Sequence, residues 1–229
     1  MLRAAALLML LFATQCLAQQ PKEARFQPVF QNEAVNADAI EIPPGFHAPL
    51  FQNTHDVVWI ALSAGRMAFL SDGGAAQEGS FRPGDTRLLR SFQARTVENR
   101  GQGATRAIVI ELKKRGLIGP GCFCTSSVER ALCGCASSTS LPDLWAAGVG
   151  SLMLSGATLA PGEGYRHGMR RNDMLLVAIT PARLSDDVAA DPAGRSFDLK
   201  SGDVRWIPAG MHQLRNAGDQ PAKLVTIEF

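Results

Sequence analysis

Short apolar runs rich in β-branched residues recur along the chain and are separated by turn signals. Two runs lie in the first half, at residues 57–62 and 107–112, and two lie in the second, at residues 174–179 and 224–229. Glycine, proline and aspartate punctuate them, as in the Arg-Pro-Gly-Asp of residues 82–85. Runs of about 4–8 residues between such turns are typical of a β-sandwich or barrel. The pattern therefore predicts an all-β protein.

The same landmarks recur at a nearly constant spacing, which indicates an internal duplication. Pro44-Gly45 recurs as Pro161-Gly162, and Asp56 recurs as Asp173, in both cases 117 residues later. Three further landmarks recur at that spacing or one residue more: Gly84-Asp85 as Gly202-Asp203, Asn99 as Asn216, and Ile110-Glu111 as Ile227-Glu228. We therefore predict two copies of one β-rich unit, each of about 100 residues.

The second copy resembles the two sequence motifs of the cupin family. The first motif, Pro-Gly followed by His-x-His and an acid, is matched in part by Pro161-Gly162, His167 and Asp173, with Met169 replacing the second histidine. The second motif is matched closely by four residues: Pro208, Gly210, His212 and Asn216. The resemblance extends over most of the chain from about Ile40. It implies two tandem cupin-like barrels of the double-stranded β-helix, or jelly-roll, type.

Repeat and resemblance together give the expected domain boundaries. A signal peptide is expected at residues 1–18 and an N-terminal cupin-like barrel at residues 19–115. A Cys-rich linker with a short helix is expected at residues 116–148, before a C-terminal cupin-like barrel at residues 149–229.

The resemblance also implies a metal site in the second copy. His167, Asp173 and His212 would form a two-His, one-carboxylate set with open positions, which suits Fe(II), and similar sets take Mn, Ni or Zn. Because strand side chains alternate, His167 and Asp173 share a face if the strand is regular. The alternative is a barrel without metal. His167 and His212 are then hydrogen-bonded lining residues, and Arg171 neutralises Asp173.

The first copy carries no comparable set of ligands. The repeat spacing places other residues at the ligand positions: Leu50, Gln52, Asp56 and Arg95. His47 and His55 have the opposite parity to Asp56 and are expected to point the other way. The N-terminal barrel is therefore expected to be structural, or to bind a ligand through Arg90 and Arg95.

Two Cys-x-Cys pairs, eight residues apart, lie between the copies. In an oxidising compartment, four clustered cysteines most often form two disulfides, and pairing across the segment is favoured over a strained bridge within a pair. A Cu(I) thiolate site, a zinc site and redox chemistry are the alternatives. This disulfide or thiolate cluster comprises Cys122, Cys124, Cys133 and Cys135.

The N-terminus is typical of a secretory signal peptide. Arg3 precedes an apolar run, and small residues precede a cleavage position after Ala18. We therefore expect a secreted protein, located in a bacterial periplasm. A membrane anchor is disfavoured because a spanning helix needs about 20 apolar residues. Lipidation of Cys16 is the other alternative, although Gln15 is a poor residue ahead of a lipidated cysteine.

Charge and missing motifs exclude several classes of function. Loss of the signal peptide leaves 22 basic and 21 acidic residues, a balance that argues against nucleic acid as a partner. No other stretch is apolar enough to span a bilayer, and a homodimer is the default assembly. The sequence lacks a Gly-x-Ser-x-Gly, a phosphate-binding Gly-Lys-Ser/Thr and a His-Glu-x-x-His motif, which disfavours hydrolase and kinase functions.

Three functions fit these observations. The leading one is a secreted bicupin that binds a small polar molecule in its C-terminal barrel, near Tyr165, Arg205 and Trp206, with or without one divalent transition metal (Fe, Mn, Ni or Zn). The second is a metal-dependent cupin enzyme of the oxygenase, decarboxylase or isomerase class. The third is a metal-handling protein that uses the Cys-x-Cys pairs.

Overall fold

A computed structural model describes residues 23–49, 55–71, 76–91, 96–113, 128, 131–132, 140–165, 172–186 and 196–229. The protein is all-β, as the pattern of apolar runs predicts. The N-terminal half (residues 23–113) contains nine strands: β1 (Arg25–Gln31), β2 (Val35–Ile42), β3 (His47–Pro49), β4 (Asp56–Ala61), β5 (Gly65–Leu70), β6 (Gln77–Phe81), β7 (Thr86–Leu89), β8 (Thr96–Asn99) and β9 (Thr105–Leu112). The C-terminal half (residues 140–229) contains eight: β10 (Trp145–Val149), β11 (Leu152–Leu159), β12 (Met174–Ala178), β13 (Ala182–Asp186), β14 (Ser196–Leu199), β15 (Val204–Ile207), β16 (Leu214–Asn216) and β17 (Ala222–Glu228).

Each half consists of one large and one small antiparallel sheet. In the N-terminal half the large sheet has the order β1-β2-β9-β4-β7 and the small sheet β3-β8-β5-β6. In the C-terminal half the large sheet has the order β10-β11-β17-β12-β15 and the small sheet β14-β13-β16. The two large sheets have equivalent orders, since β1, β2, β9, β4 and β7 correspond along the repeat to β10, β11, β17, β12 and β15.

Both faces of the large sheets are buried, which explains the unbroken apolar runs. On β4, Val58 and Ile60 contact the core between the two large sheets, whereas Val57 and Trp59 contact the core inside the N-terminal half. The C-terminal half has its own inner core, which contains Met174 and other apolar side chains. Strands with two buried faces need apolar residues at every position rather than at alternate ones.

Equivalent turns in the two halves are held by the same hydrogen bonds. The Asn216 side chain donates to the carbonyls of Leu159 (3.0 Å) and Gln220 (2.8 Å) and accepts from the Gly218 N–H (3.0 Å). The Asn99 side chain makes the equivalent three bonds in the N-terminal half. These shared contacts show that the repeated motif residues serve the fold.

Much of the predicted linker lies outside the described residues. Three residues between the Cys-x-Cys pairs are described, and Leu132 is fully buried in the core between the large sheets. Val128 and Ala131 pack against that core. β10 begins at Trp145, inside the segment predicted to be linker. Within the described part of the chain, no helix is both long enough and apolar enough to cross a membrane.

Candidate functional site

A cavity of about 560 Å³ opens beside the edge of the large sheet in the C-terminal half. It lies where β10 begins and is closed on another side by the segment that leads to Tyr165. Eleven of the described residues line it: Leu144, Trp145, Ala146, Ser155, Gly156, Ala157, Thr158, Leu159, Glu163, Gly164 and Tyr165.

The cavity exists because the edge strand of this half is short. β10 begins with Trp145 opposite Gly156, so the next residues of β11 have no partner strand on that side. In the N-terminal half, β1 continues two residues further and pairs Arg25 with Glu41, which is the repeat equivalent of Thr158. The C-terminal half therefore leaves open a space beside its sheet that a strand covers in the N-terminal half.

Gly156 allows the Trp145 ring to lie flat against the sheet. The two residues face each other in the β10–β11 pair. A Cβ atom on Gly156 would lie 2.3 Å from Trp145 Nε1 and 2.8 Å from Cε2. Only glycine leaves room for the indole there, so this pair sets the position of one aromatic wall of the cavity.

Three hydroxyl groups form a closed ring behind the cavity. Ser155 Oγ lies 2.6 Å from the Tyr165 hydroxyl and 2.8 Å from Thr226 Oγ1, and the last two are 2.8 Å apart. All three residues are buried. Each hydroxyl both donates and accepts, so the ring satisfies its members without a charged group. Two of these residues, Ser155 and Tyr165, also line the cavity.

The charge of the cavity lining is acidic. Glu163 is the single carboxylate among the described lining residues and accepts a hydrogen bond from the Ala160 N–H (2.9 Å). None of the eleven lining residues is a lysine, arginine or histidine. Among these described residues an anionic ligand would find no counter-charge, whereas a neutral hydroxylated ligand would find hydroxyl and carboxylate partners.

Asp173, one of the three predicted metal ligands, holds a turn. Its carboxylate accepts a hydrogen bond from the Ala209 N–H (2.7 Å), and Asp56 accepts the equivalent bond from Ser91 N–H (3.1 Å). By strand alternation, Asp173 is on the same side as Leu175. Leu175 contacts the core between the large sheets rather than the inner core of the C-terminal half.

His212, the second predicted ligand, is engaged through both ring nitrogens. Nδ1 lies 2.5 Å from the Asp186 carboxylate, and Nε2 lies 2.9 Å from the carbonyl oxygen of Pro208. Both partner oxygens accept hydrogen bonds. A ligating nitrogen must give up its proton, so metal binding would break one of these bonds.

His167, the third predicted ligand, lies outside the described residues, so the three-residue set stays a prediction. Within the described ranges, no three His, Cys, Asp or Glu side chains come together as a metal-binding group. The two described candidates, Asp173 and His212, already make hydrogen bonds to other residues of the fold and do not fit a preformed metal centre. Cys122, Cys124, Cys133 and Cys135 also lie outside the described residues.

The candidates of the N-terminal half are only partly described. His55 Nδ1 lies 2.8 Å from Glu111 Oε1. By strand alternation, His55 is on the same side as Val57, and Asp56 is on the opposite side, as expected. His47 is exposed on β3, and Arg90 is half-buried. Leu50, Gln52 and Arg95 lie outside the described residues.

Sequence reasoning identified one residue of the cavity and missed the rest. Tyr165, expected near a ligand of the C-terminal barrel, lines this cavity at the sheet edge, whereas Trp206, expected beside it, does not. Trp206 stacks on Phe30 (ring centroids 6.1 Å apart) and packs against Phe229 in the core between the large sheets, because it has the parity of Val204. A signal for the hydroxyl ring was present, since Ser155 and Thr226 interrupt apolar strands at inward-facing positions.

Comparisons with known proteins identify the fold. No family model matches the chain, and neither does any curated protein. Among solved structures, AerE from Microcystis aeruginosa matches with a TM-score of 0.65 at 10% identity, over 92% of this chain and 94% of that one. Oxalate decarboxylase from Lactobacillus farciminis, in a formate complex, matches with a TM-score of 0.59 at 11% identity, over 91% and 82%. Oxalate decarboxylase from Bacillus subtilis, described with Mn(II) centres, matches with a TM-score of 0.56 at 16% identity, over 90% and 72%. Identities this low show the fold alone, and the chain has a cupin fold.

Proposed function

We propose that the chain is a tandem two-cupin protein that binds a small, neutral, hydroxylated molecule in its C-terminal half. The observation that carries this proposal is the cavity of about 560 Å³ beside β11. Small-molecule sites are typically clefts of about 300–1,000 Å³, mostly apolar, with a few polar groups that fix the ligand's orientation. The cavity matches this description in volume and in chemistry.

The tandem arrangement is supported by the repeated sheets and turns. The equivalent order of the two large sheets, the equivalent bonds of Asn99 and Asn216 and the repeated landmarks all favour two copies of one unit. The copies differ at the hydroxyl ring. Asp38, Ala48 and Val109 occupy the repeat positions of Ser155, Tyr165 and Thr226. This difference supports a binding role confined to the C-terminal half.

The lining indicates a polyol or a sugar ring as the ligand. Trp145 offers an aromatic wall, against which the C–H face of a sugar packs favourably. Ser155, Thr158 and Glu163 supply hydroxyl and carboxylate groups for hydrogen bonds to ligand hydroxyls. The described lining residues include no cation that could balance a carboxylate or phosphate ligand.

Neither a metal nor a reaction is needed for this function. A divalent metal at His167 and His212 would supply a Lewis acid, but Asp186 and Pro208 already hold His212. Secretion through residues 1–18 and disulfides among the four cysteines remain part of the proposal. Both would suit a binding protein that works outside the cytoplasm.

A ligand-observed NMR screen tests the proposal. Saturation transfer from the protein to glucose, xylose or myo-inositol is expected, and weaker transfer is expected with Tyr165→Phe, which removes one hydroxyl of the ring. Met211→Ala, which changes an exposed side chain away from the cavity, is the matched control. If none of the three probes shows transfer at millimolar concentration, or if Tyr165→Phe and Met211→Ala behave alike, the proposed function is wrong.

A further inference from the structure

Arg87 is a buried cation in the inner core of the N-terminal half. Its residue is 4% exposed, and its guanidinium lies 4.5 Å from the centre of the Phe69 ring. One N–H group donates to Gln77 Oε1 (2.6 Å), which is a neutral acceptor. In the part of the chain that the structure describes, no carboxylate forms an ion pair with Arg87.

A lone charge in such a position is costly. Moving an ion out of water without an opposite charge costs several kcal/mol, even after relaxation of the protein. Burial lowers the pKa of Arg87 to about 10, so the side chain stays charged at neutral pH. Among the described residues, the guanidinium contacts the Phe69 ring and donates one hydrogen bond, to Gln77.

A second buried donor lies on the neighbouring strand. Trp59 is fully buried, and its Nε1–H has no hydrogen-bond partner among the described residues. Trp59 lies directly opposite Arg87 in the β4–β7 pair, so both side chains point to the inner core. Phe69 contacts both residues, edge to face with Trp59 at a centroid distance of 5.7 Å. Buried donors without partners are rare and call for an explanation.

We propose that the N-terminal half holds a small oxyanion between Arg87 and the indole N–H of Trp59. Carboxylates and inorganic oxyanions share the chemistry that fits these donors, since a guanidinium binds two oxygens through parallel N–H bonds. The anion would neutralise the buried charge and accept the unpaired N–H. This site is separate from the C-terminal cavity and takes the opposite class of ligand.

The repeat supplies a matched control residue. Arg205 occupies the repeat position of Arg87 and lies 3.9 Å from the centre of the Phe197 ring, but it is half-exposed. Water can solvate Arg205, so its charge does not require an anion. Arg205→Gln therefore changes the same kind of side chain at the equivalent position and is expected to leave anion binding unchanged.

Titration calorimetry with acetate, malonate and sulfate tests the site, and the three probes distinguish carboxylates from inorganic oxyanions. At least one is expected to bind the wild type and Arg205→Gln equally. Trp59→Phe, which keeps the aromatic packing but removes the donor, is expected to weaken binding at least about tenfold, since it removes a hydrogen bond to a charged group. Arg87→Gln is expected to abolish binding.

Two results would overturn the proposal: no binding of any probe to the wild type, or equal binding by wild type and Trp59→Phe. The second result decides the matter even if Arg87→Gln does not fold. Tyr165→Phe is expected to retain anion binding, so the test is independent of the C-terminal cavity. Loss of sugar binding and loss of anion binding are thus separate outcomes.

Discussion

Individual side chains differ in how far the sequence reveals their role. Asn216 was recognisable from its place in the cupin motif, and it holds three backbone groups. The ring of Ser155, Tyr165 and Thr226 was recognisable only in part, from the two hydroxyl residues that interrupt apolar strands. Alternation along a strand predicts which side chains point inward, but not which inward hydroxyls on different elements lie within hydrogen-bonding distance.

Replacement of Asn216 by alanine is expected to lower the free energy of unfolding by about 2–4 kcal/mol. The substitution leaves the buried carbonyl of Leu159 and two other backbone groups without their partner. Urea unfolding measures the change. Asn172→Ala, at an exposed position, is the control and is expected to change stability by less than about 0.5 kcal/mol. Equal effects of the two substitutions would contradict the structural role of Asn216.

Replacement of Asp38 by asparagine is expected to raise the melting temperature at pH 7. Burial, and then the nearby charge of Glu111, raise the pKa of Asp38 above its ordinary value of 3.8. The folded state thus binds the proton more tightly than the unfolded state, and stability falls as pH rises through this raised pKa. The advantage of Asp38→Asn should disappear below pH 3.8, where the carboxyl is protonated in both states. A melting-temperature series against pH checks the sign, and an advantage that grows with acidity would refute it.

At the scale of elements, the apolar central strands were predictable from the sequence, and the start of the edge strand β10 was not. The apolar runs predicted at 107–112 and 174–179 correspond to β9 and β12 within two residues at each end. The start of β10 at Trp145 was not predicted, because a short edge strand has little apolar pattern of its own. The cavity depends on that start, since a longer strand would cover the open edge of β11.

Replacement of Gly156 by alanine is expected to displace the Trp145 ring and cost about 1–3 kcal/mol of stability through overpacking. The near-ultraviolet circular dichroism of the indole should change with it. Gly148→Ala, on the same strand pair, is the control, because its new Cβ would lie 3.7 Å from Met153, an ordinary contact. An unchanged Trp145 signal in Gly156→Ala would show that the ring does not depend on this glycine.

At the scale of the whole molecule, the four sheets enclose three hydrophobic cores. The two inner cores lie between the large and small sheet of each half, and the third joins the two large sheets. The repeat predicted the two halves, but it did not predict the shared core. A sequence pattern shows that both faces of a strand are apolar without showing what covers the outer one.

Trp206→Ala is expected to destabilise both halves together, by about 2–3 kcal/mol. Trp206 packs against Phe30 of the other half and Phe229 of its own, so its loss weakens the shared core. Unfolding followed by circular dichroism and by fluorescence should give one coincident transition before and after the change. Two separate transitions in the wild type would contradict a shared core.

The most direct test of the proposed function is titration calorimetry of the wild type, Gly156→Ala and Gly148→Ala with xylose, glucose and myo-inositol. The cavity beside β11 predicts that at least one of these probes binds the wild type and Gly148→Ala equally. It predicts at least tenfold weaker binding to Gly156→Ala, in which the displaced indole fills the site. Binding that is the same in all three proteins, or absent from the wild type, would show that this cavity is not a site for small hydroxylated molecules.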